Sequence, residues 1–188
     1  MKKLVSMLLA LVLCLCALTP VMAETAVEAF PYTVEGYRTY FDVLAVSMFG
    51  VSPAWTLSAD GRSYNVDVPG YGTVEVALNA QGQITSFKST LVATEDNVST
   101  TSNAFGQLVA LIALSSKAAE DITFLTEANI NQFTAELQAL LGEMLARIAE
   151  AMEGPLVVSG EVAGNTCSFS MLLDLNNMTI NFGFIFQP

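Results

Sequence analysis

The side chains that most often do chemistry are missing from this chain, and carboxylates are what remain. The sequence contains no histidine. That removes the base that titrates near neutral pH, the commonest metal ligand and every Ser–His or Cys–His pair. Cysteine occurs only at Cys14, Cys16 and Cys167, which is too sparse for a zinc cluster. No glycine-rich turn opens a helix after a strand in the form that cradles phosphate. Neither Lys88 nor Lys117 has a serine three residues before it, so the serine–lysine hydrolase pattern is absent. We therefore expect no catalytic residue, no cofactor and no metal site.

The carboxylates follow the same logic. Glu136, Glu143 and Glu150 lie seven apart, the pattern of a solvated helix face opposite an apolar one. Glu143 and Arg147 at i, i+4 add a few tenths of a kcal/mol (about 0.2–0.5) to such a helix. Asp60, Asp67, Glu95 and Asp96 lack the alternating acidic spacing and central glycine of a calcium loop. A carboxylate-based hydrolase needs two carboxyls within about 10 Å, and nothing in the sequence brings two together. Recognition residues are easier to name. Trp55, beside Pro53, and Tyr71, between Gly70 and Gly72, are large amphipathic side chains at turns, where binding surfaces are built. They are the expected partner-binding residues. Their plainer role is packing, Trp55 at a strand start and Tyr71 on a turn.

Where the protein goes is written in its first residues. Lys2 and Lys3 precede an apolar run, Leu4 to Leu18, and Val21-Met22-Ala23 ends in small residues. This is the pattern of a cleaved secretory signal peptide, residues 1–23, and its core falls short of the roughly twenty residues that span a bilayer. We expect residues 24–188 to be the secreted or extracytoplasmic protein, with no transmembrane segment after cleavage. Loss of Lys2 and Lys3 takes the net charge from −11 to −13. So acidic a chain is unsuited to nucleic acid, whose phosphates demand clustered Lys and Arg. The hydrophobic fraction of 53% excludes a disordered acidic tail. Cys167 alone remains after cleavage, so no internal disulfide forms and the core must hold the fold. Cys167 reads as a small buried strand residue.

Periodicity supplies the elements. In Thr126–Pro155 apolar residues from Ile130 and Phe133 to Ile148 and Met152 recur at spacings of three and four, one wide helical face. Thr126 suits the N-cap, and Gly154 with Pro155 the C-terminus, so a helix over 127–152 is predicted. A coiled-coil seam breaks at Arg147 after barely two heptads, so the helix belongs to the core. Thr33–Phe49 reads as a second helix closed by Gly50 and Pro53, and Phe105–Leu114 as a short buried one. Residues 24–32 read as a mobile lead-in, and 93–103 as a polar surface loop carrying the sequon Asn97-Val98-Ser99; Asn177-Met178-Thr179 is a second sequon.

Between the helices the period is two. Trp55–Val92 reads as a four-stranded meander, with a hairpin at Asp60-Gly61 and a parity slip between Ile84 and Phe87 that marks a bulge. Leu156–Val162, Thr166–Leu175 and a last strand from Met178 to Phe186 form a second meander, with turns at Gly164-Asn165 and Asn176-Asn177. The final strand is too apolar to be an uncovered edge. VEVALNAQGQITSF and SFSMLLDLNNMTINF echo one another, which raises the prospect of a duplication.

The expected architecture is one α+β domain, with an antiparallel sheet of six or seven strands from two meanders and two or three helices on one face. The expected function is a non-catalytic binding or interaction module. Its partner is an unknown protein or a component of the cell envelope or extracellular space. Two alternatives stand beside it. The eight methionines and eleven phenylalanines suit a carrier of an apolar ligand between sheet and helices. The acidic residues suit the hydrolase described above.

Overall fold

A computed structural model describes residues 28–188, apart from the side chain of Leu145; the signal peptide expected at 1–23 lies outside them. Thr33 caps the first helix, α1 (Val34–Phe49), by accepting from the Gly36 N–H at 3.1 Å. Gly50 ends it in the left-handed conformation, at φ 71°, where a side chain would be strained. Four strands follow: β1 (Ala54–Leu57), β2 (Ser63–Val68), β3 (Gly72–Leu78) and β4 (Ile84–Thr94). Helices α2 (Val98–Glu120) and α3 (Glu127–Ala146) come next, each trailed by a short 3-10 turn. Strands β5 (Leu156–Val162), β6 (Asn165–Asp174) and β7 (Thr179–Gln187) complete the chain.

The strands form one antiparallel sheet in the order β1-β2-β3-β4-β7-β6-β5. The two meanders therefore meet through their last strands, β4 and β7. The echoing hairpins, β3–β4 and β6–β7, occupy equivalent positions on either side of that seam. The bulge appears where the parity slips, since Ala77 pairs with Ser86 but Leu78 with Ile84. Register then decides the core. One row crosses the whole sheet as Leu57, Tyr64, Val76, Phe87, Phe186, Cys167 and Gly160. The next runs Trp55, Val66, Val74, Ser89, Phe184, Phe169 and Val158. Both rows face the helices. The alternate residues, such as Asn65, Glu75 and Lys88, face the other way, the usual division of an antiparallel sheet. Gly160 marks the closest passage of α3: a Cβ there would lie 2.6 Å from Leu140 Cδ2, which explains a glycine inside a strand.

Several expectations are corrected. The polar stretch 93–103 is not a loop. Ala93 and Thr94 end β4, and Val98–Asn103 form the first turns of α2. Val98, Thr101, Phe105 and Leu108 make an inward stripe, and the intervening Ser and Thr residues hide it from a search for apolar letters. The buried helix is also longer than Phe105–Leu114, because Ser115, Ser116 and Lys117 are themselves buried. Ser116 Oγ shares a 2.5 Å hydrogen bond with Tyr32 Oη. The lead-in is anchored: Phe30 and Tyr32 are buried, and the Phe30 N–H donates to the Ile84 carbonyl at 2.8 Å.

The long helix starts as expected, with Thr126 Oγ1 accepting from the Asn129 N–H, but α3 stops at Ala146. Arg147 leaves helical geometry at φ −105°, ψ 13°, and a 3-10 turn over Ile148–Met152 swings Ala151 into the core. Ile148 and Met152 are therefore exposed. Gly154 does not take the left-handed conformation; Glu153 closes the turn instead. Glu143 and Glu150 are exposed as expected, but Glu136 is half-buried. Its Oε2 accepts from the Ala163 N–H at 2.7 Å. That bond holds Ala163 at φ 50°, so the turn is Ala163-Gly164 and Asn165 already belongs to β6. At the next turn Met178 takes φ 53°, and β7 starts one residue later than expected, at Thr179. The Asp174 carboxylate ties that turn, accepting from the Asn176 and Asn177 backbone and from Asn177 Nδ2.

Candidate functional site

Trp55 lies where β1 passes under α1. Its Nε1–H donates to Asp42 Oδ1 at 2.8 Å. The Arg38 guanidinium sits over the indole, 5.5 Å from the ring centroid, and its Nε reaches Asp42 Oδ2 at 3.5 Å. Tyr37, Phe41 and Tyr64 meet the indole edge-on, at centroid separations of 6.1, 5.6 and 6.0 Å. The ring is thus fixed on three sides by aromatic edges and pinned at its nitrogen, so little freedom is left to lose on binding. Above it opens a cleft of about 470 Å³, rimmed by Glu35, Arg38, Thr39, Asp42 and Tyr64. The arrangement combines flat apolar surface, carboxylate acceptors and one cationic donor, the mixture that orients small ligands.

Comparison with protein families, characterised proteins and solved structures returns no match. Side-chain geometry therefore has to carry the assignment. Among the described residues, no group of three or more His, Cys, Asp or Glu side chains converges as a metal site would. No helix among them is long and apolar enough to cross a membrane.

Tyr71 is elsewhere. Its ring stacks on Phe49 at 4.0 Å, closing the last turn of α1. Seven residues separate Phe49 from Asp42, about 10 Å of helix, so Trp55 and Tyr71 do not form one box. Arg38, Asp42 and Tyr64 complete the Trp55 cleft without having been singled out from the sequence. Their signal was the i, i+4 pair Arg38 and Asp42 on the polar rim of α1. The start of α2 and the β6–β7 turn enclose another, shallow cleft of about 260 Å³, lined by Val98, Leu173, Met178 and Ile180. Both sequons, at Asn97 and Asn177, fall at that end.

Cys167 faces the helices and is fully buried. Burial, with the nearby Glu136 carboxylate, pushes its thiol up to about 12 from an ordinary 9.0. At pH 8 the thiolate is then about a thousandfold scarcer than in a free thiol of ordinary pKa. We expect Cys167 in the folded protein to react with a thiol reagent at pH 8 far more slowly than in urea, where labelling is complete. Rapid labelling of native protein would show that β6 is open to solvent.

Proposed function

We propose that this protein is an exported, non-catalytic binding module of the cell envelope or extracellular space, and that it holds a neutral saccharide unit in the Trp55 cleft. The observation that carries this reading is the Trp55 indole, fixed by Asp42 and three aromatic edges beneath an open, polar-rimmed cleft. A pyranose offers a flat C–H face for dispersion contact with an aromatic ring, and hydroxyls for carboxylate and guanidinium partners. The acidity of the chain favours an uncharged polymer over an anionic one.

Trp55 is the only tryptophan, so its emission reports on this cleft alone. Titration of the mature protein with neutral oligosaccharides is expected to change that emission saturably. Calorimetry on Trp55→Ala and Asp42→Ala should show at least a tenfold loss of affinity. Saccharide binding that leaves Trp55 emission and both variants unaffected would overturn the assignment of the cleft. A complete absence of saccharide binding would overturn the ligand class.

A further inference from the structure

A separate cleft of about 320 Å³ lies where the end of α2, the first turns of α3 and the β5–β6 turn converge. Among the residues that line it is Lys117, a charged side chain with only 8% of its surface exposed. Lysine is almost never buried so deeply without partners, because the ammonium loses its hydration. Among the described residues its Nζ has one partner, Glu120 Oε2 at 2.5 Å. An ammonium carries three donors, so two remain for whatever enters the cleft. Only the Lys117 end of this pair is buried; Glu120 is exposed, so solvent screens the pair from that side.

The rim has the opposite character. Glu120, Asp121 and Glu136 line the same cleft, so with Lys117 the local charge is −2. Thr123 donates to the Asp121 carboxylate from both its hydroxyl and its N–H, which holds that group below the usual carboxylate range and ionised near neutrality. Glu136 is fixed in place by Gln132 and by the Ala163 N–H. Phe124 and Phe133 add an apolar wall. A purely anionic ligand would meet the net negative rim, and a purely cationic one would leave the two spare Lys117 donors unpaired. The carboxylates do not converge as a metal site would. The volume is at the low end for ligand sites, too small for a polymer segment.

We propose that this cleft binds a small zwitterion, an apolar or aromatic α-amino acid. Its carboxylate is received by the Lys117 ammonium, its ammonium by a single carboxylate of the Glu120, Asp121 and Glu136 rim, and its side chain by Phe124 and Phe133. The site is independent of the Trp55 cleft, which is lined by none of these residues.

The test is calorimetry on the mature protein with L-phenylalanine and L-leucine, and with their N-acetyl and amide derivatives. The free amino acids are expected to bind saturably. N-acetylation, which removes the ammonium, and amidation, which removes the carboxylate, should each weaken binding at least tenfold. Asn129→Leu, which adds bulk and removes polarity at a half-buried lining position without touching the Lys117–Glu120 pair, should abolish binding. Lys117→Met, if its circular dichroism is native, should do the same. Failure of both amino acids to bind at millimolar concentration would overturn the proposal. So would equal binding of the blocked derivatives, or binding that survives Asn129→Leu. Trp55 emission should stay unchanged throughout, which separates this outcome from that of the saccharide titration.

Discussion

Replacing Phe87 with alanine is expected to cost about 3–5 kcal/mol of folding stability, read as a lowered urea midpoint at unchanged slope. The ring is fully buried at the centre of the sheet. It sits 4.4 Å from Tyr37, 5.2 Å from Phe30 and 6.3 Å from Phe186, centroid to centroid. Phe186 is also its direct cross-strand partner. Among the described residues the seam between β4 and β7 is the only place where the two meanders pair, so Phe87 couples one half of the sheet to the other and both to α1. A domain of this kind is stable by about 5–15 kcal/mol, so the loss removes a large share of the total. Cys167 is the only cysteine among the described residues and is free, so no disulfide among them offsets it. Val92 lies on the same strand but points to the open face and is mostly exposed, so Val92→Ala should change stability by about 0.5 kcal/mol or less. Similar losses for the two variants would mean that the seam is not where the fold is held.

The contrast between Phe87 and Val92 was readable from parity alone, and so was most of the sheet. Strand period, the Asp60-Gly61 hairpin and the bulge near Ile84 are local properties, set by neighbours two to five residues away. The strand order was not readable, because it depends on β4 choosing β7 across 85 residues or more of sequence. The errors in the helices share one cause. The start of α2 is polar in composition and inward-facing only through Val98 and Thr101, and the end of α3 is set by Ala151 finding the core rather than by Gly154. Ala163 in a left-handed turn cannot be foreseen without Glu136, 27 residues earlier, supplying the acceptor. The candidate sites fail in the same way. Trp55 stood out as a type, but its value comes from Asp42 and Arg38 on another element. In the sequence Lys117 merely follows the apolar run that ends at Leu114. Only the packed structure reveals that its ammonium is buried beneath a cleft.

Phe30 tests whether the segment before α1 completes the core or merely covers it. Phe30→Ala is expected to cost about 3 kcal/mol, the lower end for a buried phenylalanine, because this segment can detach without unfolding the rest. Its ring stacks on Tyr32 at 5.2 Å and Phe186 at 5.8 Å, and its N–H extends the bonding of β4 through Ile84. Once the segment loosens, the bond between Tyr32 and Ser116 goes with it, so α2 loses a tie as well. Phe30 and Phe87 touch, so their losses should not add. The double variant is expected to fall short of the sum by about 0.5–3 kcal/mol, the range for residues in contact. Urea titration of the two single variants and the double variant gives that coupling directly, and hydrogen exchange at the Phe30 amide shows whether detachment precedes global unfolding. Strict additivity would mean that Phe30 shields the β4–β7 seam without sharing its packing. Coupling in the expected range would make residues 30–32 part of the core that the two meanders build together.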